Sequence, residues 1–582
     1  MNPQAFQPTP EQQAVIGHEG SAFVTACPGA GKTRVMTERA RRLFSDMPAG
    51  RGVAFLSFTQ GAIFELETRL QEERILPSPV FPSFIGTFDS FVWQFLVAPF
   101  GVKDCDARPR LIADLADLAV TPFRGAHPLP LSCFCPVTGN IFEQAAKVRG
   151  FDVSQKPAHL VQAYVTAAAA IRARLRERGQ LGFDEARGVA LERLKDAGAA
   201  PRIAAALVGR FREVIVDEAQ DCNPDDLHVI SWLRDSGLPV KVVCDPHQSI
   251  YEFRGGVTDQ LFTFAETFGE GNRKTLTGNF RSAPNVCKSI AQLRPPASRM
   301  APDEPLGPYK DDATPIRILS YPGTAVPASI GAAFCAYVKE ADIDPALSPL
   351  IAATRASGAA AAGQPRPSNR RDRAVRLAEA VTDFYFAAGF NDMKSAIDQV
   401  HQILLELEGR LGDLSYRQYL ADNEIEQANW RPHVLFLLRA LRFDPSKHAD
   451  AKAWHAAAKD LLAQHLTLGD GPSLSQRLKW NDAVAAALAA VPAATAMPRT
   501  IHAVKGMEFP AVCVVTTAST LKSILDYLET GEPADKAEDA RKLYVASSRA
   551  EKLLVIAAPK SQADRLATYL RGQGAAVEVK EI

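Results

Sequence analysis

Short apolar runs recur along the chain, and several of them switch at a polar or glycine position into a helical spacing. AFVTA (22–26) leads to TRVMTERARRLF, VAFLSF (53–58) to QGAIFELETRL, and FIGT (84–87) to FDSFVWQFL. Unbroken runs of this kind suit strands buried on both faces, and their alternation with helices predicts a parallel α/β sheet. The same holds for EVIV ahead of Asp217, KVVC ahead of Asp245, PIRIL (315–319), PLIAATR (349–355), and the stretches 498–517 and 538–558. Two tracts of helical text interrupt this pattern. One, 101–209, contains a Pro- and Cys-rich loop around 127–138. The other, 374–490, has strong Ala/Leu periodicity and follows a low-complexity run, 356–373, that reads as a flexible junction or solvated loop. The expected fold class is α/β, with two parallel-sheet domains each carrying an inserted mainly α-helical domain. The expected boundaries are 1–98 with 206–275 for the first domain and 99–205 for its insertion, then 276–360 with 499–582 for the second and 361–498 for its insertion.

Composition narrows the picture. A chain of 582 residues is too long for a single core. Lys plus Arg balances Asp plus Glu at 66 each, so a nucleic-acid site has to be a local groove. The start MNPQAFQPTP lacks a basic-then-apolar leader, and the longest uncharged apolar stretch, 483–498, is short and broken by Pro492. A soluble, non-secreted, cytoplasmic protein is expected. Nine cysteines stand singly except for Cys133 and Cys135, so reduced structural thiols are the expectation.

The chemistry centres on ACPGAGKT: Ala26, Cys27, Pro28, Gly29, Ala30, Gly31, Lys32 and Thr33, followed by Arg34. A strand, a tight glycine turn and a helix N-terminus aim backbone N–H groups and a helix dipole at one place, where a triphosphate can sit. Lys32 would reach the β/γ-phosphates of ATP, and Thr33 would hold Mg²⁺. Ala26 stands where the strict pattern has glycine, and an ordinary glycine-rich turn is the alternative. Asp217 and Glu218 end the EVIV strand. Asp217 would bind the metal and Glu218 would orient and deprotonate the attacking water, unless both simply cap the following helix. Phe58 and Thr59 lie at a strand's C-terminal end, the ligand edge of an open α/β sheet, and Thr87 and Asp89 lie at the next strand-to-helix switch. Tyr251, Phe253 and Arg254 share a loop with Gln248, where aromatic and arginine together suit base stacking; a buried aromatic is the alternative. Arg281 and Arg549 are candidates to reach a γ-phosphate, and Gln12, next to the helix-capping Thr9, reads by itself as a surface residue.

Taken together and in order, these motifs resemble the superfamily 1 DNA helicases of the UvrD/Rep type. TPEQQ resembles the adenine-reading Q motif, ACPGAGKT motif I, LSFTQGA motif Ia, GTFDSF motif Ib and VDEAQD motif II. DPHQSIYEFRGG resembles motif III, NFRS motif IV, TIHAVKGMEF motif V and YVASSRA motif VI. The resemblance implies two RecA-like P-loop domains that close on Mg-ATP. It implies that Gln12 reads adenine, Phe280 stacks on it, Glu508 approaches the ribose, Gln248 links the γ-phosphate to the DNA groove, and Arg281 and Arg549 sense phosphate. Phe58, Tyr251, Phe253, Arg254 and His502, with Thr59 and Thr87 beside the strand ends, would line the path of single-stranded or tailed duplex DNA. Translocation 3′ to 5′ is likewise implied by the family.

Departures from the family pattern carry expectations of their own. Asp89 stands where the family usually has His and puts a negative charge near a DNA contact. Phe253 stands where Trp is frequent, a smaller stacking platform. No nuclease domain is expected after YVASSRA, and the cysteines do not supply an iron–sulfur ligand set. Two functions stay open at this point. One is an ATP-dependent DNA helicase or translocase. The other is a helicase-like subunit that senses DNA and regulates a partner nuclease or other repair or defence protein, as in phage-defence systems of the Gabija type.

Overall fold

The structure is a computed structural model that describes every residue except 1–5, 46–49, 77–78, 113–117, 137, 251–257, 300, 364–371, 388–392, 412–415, 417–418, 421–422, 424, 426, 470 and 490–495. It divides into two compact units, residues 1–280 and residues 281–582.

The first unit is built on six strands: β1 (Ala22–Ala26), β2 (Gly52–Ser57), β3 (Phe84–Thr87), β4 (Phe211–Val216), β5 (Val240–Cys244) and β6 (Arg273–Leu276). They form one parallel sheet in the order β6-β1-β5-β4-β2-β3. β2 and β5 are buried along their whole length, which is why their sequences read as continuous apolar runs. The register pairs Thr25 with Cys244, Val216 with both Val242 and Leu56, and Ser57 with Thr87. The C-terminal strand ends are therefore aligned, and Cys27, Asp245, Asp217, Phe58 and Thr87 follow one another along a single edge. Helices α1 (Pro10–Gly17), α2 (Lys32–Ser45), α3 (Gln60–Glu72) and α4 (Phe88–Phe91) start close to that edge. Thr9, Thr59 and Thr87 cap α1, α3 and α4 by accepting from the N–H of Gln12, Ala62 and Ser90. Each such cap contributes about 1 kcal/mol.

The inserted tract is helical from Ala158 onward, through α5 (Ala158–Glu177), α6 (Phe183–Leu194) and α7 (Ala200–Arg210), before β4 and then α8 (Pro224–Asp235). Before Ala158 the expectation of helical text fails. Among the described residues from 101 to 157, only Glu143–Val148 is α-helical, and the rest is turns, two-residue strands and the short 3-10 helices Leu131–Cys133 and Val153–Gln155. Prolines 109, 122, 128, 130 and 136 remove backbone donors there, and Gly101, Gly125, Gly139 and Gly150 take positive φ. Leu129, Leu131, Phe134, Phe151 and Tyr164 form a small core of their own in this region. By contrast Ala186, Ala190, Ile203 and Leu207 share one core with Phe84, Phe91 and Val214, so α6 and α7 are packed directly onto the sheet.

The second unit has β7 (Ile316–Tyr321), β8 (Leu350–Ala352), β9 (Pro498–Thr500), β10 (Phe509–Val515), β11 (Ala550–Pro559) and β12 (Val577–Glu581). These also form a parallel sheet, in the order β9-β8-β10-β11-β7-β12. Its insertion is helical as the periodicity predicts: α9 (Arg373–Ala387), α10 (Lys394–Glu408), α11 (Gln427–Ala440) and α12 (Ala451–His465) enclose Leu377, Val400, Trp430, Leu437 and Trp454. The low-complexity run opens on an ordered helix, Arg355–Ala361, capped by Thr354, and residues 364–371 lie outside the described part. All nine cysteines are free thiols. Among the described residues no helix is long and apolar enough to cross a membrane.

Candidate functional site

The loop between β1 and α2 is shaped by its glycines. Gly29 (φ 71°) and Gly31 (φ 73°) lie in the left-handed region that L side chains avoid. A Cβ on Gly31 would also sit 3.3 Å from Gln12 Nε2 and 4.0 Å from the Phe280 ring. The loop is fastened from outside: Cys27 N–H donates to Leu276 O (3.0 Å), and Phe280 N–H donates to Gly29 O (2.8 Å). Gln12 is buried, which corrects its reading as a surface residue. Its Nε2 donates to Ala30 O (3.1 Å), and its Oε1 accepts from Thr9 N–H (3.1 Å). Buried amides need such partners, and Gln12 finds one on the loop itself. Ala26 and Ala30 are buried beneath the turn, with Pro28 between them. Lys32 and Thr33 open α2. Arg34 is turned toward Glu38 (3.1 Å) and Glu73, with the Phe6 ring 4.8 Å away.

Across the edge, Lys32 Nζ lies 3.8 Å from Glu218 Oε1. Asp217 is buried, and its Oδ1 has no hydrogen-bond partner among the described residues. Burial and then the adjacent Glu218 carboxylate push its pKa up to about 7, with Lys32 opposing. Glu218 occupies left-handed backbone (φ 55°, ψ 36°). Neither acid is an N-cap of the next α-helix, since Asn223 fills that position for α8. Behind them runs a buried polar chain absent from the sequence reading. Gln220 Nε2 donates to Glu218 Oε2 while its Oε1 accepts from Asp245 N–H (3.1 Å), and Gln248 Nε2 donates to Asp245 Oδ2 (2.8 Å). Gln220 lies inside DEAQD and Asp245 ends a predicted strand, so both were visible as positions, though not as partners.

Further along the same edge, Phe58 is half-buried, with its ring stacked on Phe88 at 5.2 Å and 17°. Thr59 and Thr87 are occupied as caps, and Thr87 Oγ1 also shares a hydrogen bond with Ser90 Oγ (2.8 Å). Asp89 is ion-paired, which the expectation drawn from it did not include. Arg187 of α6 meets it at 2.5 Å and also binds Asp226 of α8 (2.7 Å) and Asp184 (2.9 Å). Burial pushes Asp226 up to about 6, with the Arg187 charge opposing. Nothing in the sequence marked Arg187, whose partners are 39 and 98 residues away. Tyr251, Phe253 and Arg254 lie outside the described residues.

In the second unit, Arg281 pairs with Glu508 and donates to Ser548 O (3.0 Å). Arg549 is buried beside them, donating to Val545 O (3.0 Å) and Ser548 Oγ (3.0 Å). Glu508 immediately precedes β10 and Arg549 immediately precedes β11, so this cluster gathers at the N-terminal edge of the sheet. His502 follows β9 at the opposite, C-terminal edge, in an exposed turn.

Comparison with known proteins identifies related chains. Residues 8–269 match the UvrD/REP helicase N-terminal domain and residues 497–561 the UvrD-like helicase C-terminal domain, together more than half the chain. Over 295 residues the chain is 28% identical to the ATP-dependent DNA helicase UvrD1 of Mycobacterium tuberculosis, covering 48% of this chain and 38% of that protein. It is 25% identical to DNA helicase II of Haemophilus influenzae (49% of this chain, 39% of that protein) and 24% identical to the Gabija protein GajB of Bacillus cereus (47% of each). The matched part thus spans less than half the length of each of these relatives.

Proposed function

This chain belongs to the UvrD/Rep helicase family, and on that premise we propose that it is a DNA-dependent ATPase that steps 3′ to 5′ along single-stranded DNA and separates strands as it moves. One observation carries the reading: a phosphate-type loop, an acidic pair and two candidate DNA contacts leave the same edge of one sheet, from β1, β4, β2 and β3. The glycine turn and the N-terminus of α2 would cradle the phosphates of ATP, with Lys32 reaching the β/γ-phosphates. The buried Asp217 Oδ1, without a hydrogen-bond partner among the described residues, suits a hard divalent cation, and Thr33 and Asp217 are the residues that would hold Mg²⁺. When bound, Mg²⁺ would neutralise charge building on the phosphates. Glu218, held by Gln220 and near Lys32, would orient the attacking water and take its proton. Gln12 and Phe280, both against the loop, would flank the adenine, and Gln248 would report phosphate occupancy through Asp245 and Gln220. Arg281, Arg549 and Glu508 would serve the phosphates and ribose from the second unit, with His502, Tyr251, Phe253 and Arg254 on the DNA path. The chain would act in the cytoplasm.

In purified protein, Lys32→Ala and Glu218→Gln should each reduce DNA-stimulated ATP release of phosphate to background. Retention of that activity by both variants would refute the mechanism. A second reading is favoured by the similarity to GajB: a DNA-sensing subunit that regulates a partner nuclease in defence against phage and unwinds little by itself. Nuclease activity that appears only when this chain and a partner are combined would support it.

A further inference from the structure

Arg187 joins three elements that are remote in sequence. Its Nη2 meets Asp89 in the first turn of α4, its Nε meets Asp226 in the first turn of α8, and its Nη1 meets Asp184 on its own helix. A guanidinium is a rigid planar fork, so three acceptors at three nitrogens leave it little freedom to reorient. Arg187 and Asp226 are both buried, whereas Asp184 is mostly exposed and forms the weak arm.

The two strong arms end at opposite sides of the proposed chemistry. Asp89 lies two residues beyond Thr87, on the part of the edge where DNA is expected. Asp226 fixes the exit of the loop that begins with Asp217: its Oδ2 accepts from Asn223 N–H (3.0 Å), and its own N–H donates to Asn223 Oδ1 (2.9 Å). The entry of that loop is fixed where Asp217 N–H donates to Leu56 O (2.8 Å). The same helix α6 grips the far end of the α4 segment as well, since Arg193 donates to the carbonyls of Leu96 and Gly101. Helix α6 is thus tied to both ends of the segment from Phe88 onward, and Arg187 ties it in turn to the exit of the Asp217–Glu218 loop.

We propose that Arg187 is a positioning residue that couples occupancy of the Phe58–Thr87 end of the sheet edge to the hydrolytic loop, so that a bound single strand speeds ATP turnover. The inference rests on the function proposed above. A displacement of α4 by DNA pulls on Asp89, and a fork already committed to Asp226 transmits the pull instead of absorbing it.

The test compares wild type with Arg187→Met, Arg187→Lys, Asp89→Asn and the Arg187→Met/Asp89→Asn double variant, with folding checked by thermal melting. ATP hydrolysis is measured with and without an unstructured thymidine oligonucleotide. Arg187→Met should lower the DNA-stimulated kcat about tenfold while basal turnover and the KM for ATP stay within about twofold. Arg187→Lys should restore part of the stimulation, Asp89→Asn should lower it, and the double variant should be no worse than Arg187→Met, because one arm is useless without the fork. Undiminished stimulation in Arg187→Met, or an equal fall of basal and stimulated rates in a variant that melts like wild type, overturns the coupling. If Arg187→Met fails to fold, undiminished stimulation in Asp89→Asn overturns it. A wild-type chain whose ATPase ignores DNA overturns the proposed function itself, before any substitution is made, and the coupling falls with it.

Discussion

Glu218 stands in left-handed backbone space beside a carboxylate already raised to about 7, so this one residue combines steric and electrostatic strain. A non-glycine residue in that conformation costs about 1–2 kcal/mol, and glycine escapes most of it. Glu218→Gly and Glu218→Gln should therefore be equally inactive, yet the glycine variant should be the more stable by roughly 1 kcal/mol. Denaturant unfolding of the two variants checks this, and equal midpoints would mean that the backbone there stores nothing. Strain held there fits the proposed role of Glu218, a group that would have to stay aimed at a water. Other residues gain their meaning only from partners remote in sequence. Gln12 reads as a surface residue from its neighbours because the carbonyl that buries it, Ala30 O, comes from a loop 18 positions away. Arg187 sits in an ordinary amphipathic helix, and its two closest acids, Asp89 and Asp226, lie outside the insertion.

At the level of elements, local chemistry was legible wherever it acts over a few residues. Most strands of both sheets lie where apolar runs predict them, whereas the edge strands β6 (RKTL) and β12 (VEVKE) carry no such run and were not marked; Thr59 and Thr87 cap the helices that follow, as a polar switch after a strand implies. The first insertion was less legible, because its turns owe their shape to prolines and positive-φ glycines scattered through otherwise helical text. The second insertion carries a testable titration. His401 of α10 is stacked on Trp430 of α11 at 3.9 Å and shares a hydrogen bond with Tyr416 OH (2.9 Å). Burial, followed by the Arg410 and His433 charges, lowers its pKa from 6.5 to about 4. The folded state prefers the neutral ring, so this contribution is complete above 6.5 and is lost as pH falls toward about 4. Allowing for solvent screening, the loss should be on the order of 1–2 kcal/mol. Comparing denaturation midpoints at about pH 7 and about pH 5 for wild type and His401→Gln checks it, with a smaller pH-dependent drop expected in the variant.

At the scale of the whole molecule, the two sheets share a topology class and use it differently. In the first unit the loop at Cys27–Thr33, Asp217, Glu218, Phe58, Thr59 and Thr87 all follow the C-terminal strand edge, as expected for ligands of open α/β sheets. In the second unit only His502 does so, while Glu508 and Arg549 stand at the N-terminal edge with Arg281. That edge assignment follows from a register that joins Phe509 to Ala550, and spacing along the chain does not reveal it. The motor reading makes a directional prediction. Given ATP, duplexes with a 3′ single-stranded tail should be separated, and those with a 5′ tail or blunt ends should not. DNA-stimulated hydrolysis without any strand separation would favour the sensing subunit instead.

The three-armed junction at Arg187 also limits how this gene can be recombined. The segment 99–205 looks like a cassette that could be excised or exchanged between relatives. A replacement that covers Asp226 without supplying a cation, however, strands it in the interior, and breaking a buried pair in this way costs about 3–5 kcal/mol. A foreign segment would have to bring an arginine at the same turn of its helix, and a foreign host would have to offer acids where Asp89 and Asp226 stand. Insertion and host are therefore expected to be inherited as a unit, and chimaeras that cut between them are expected to fail as folded proteins before they fail as motors.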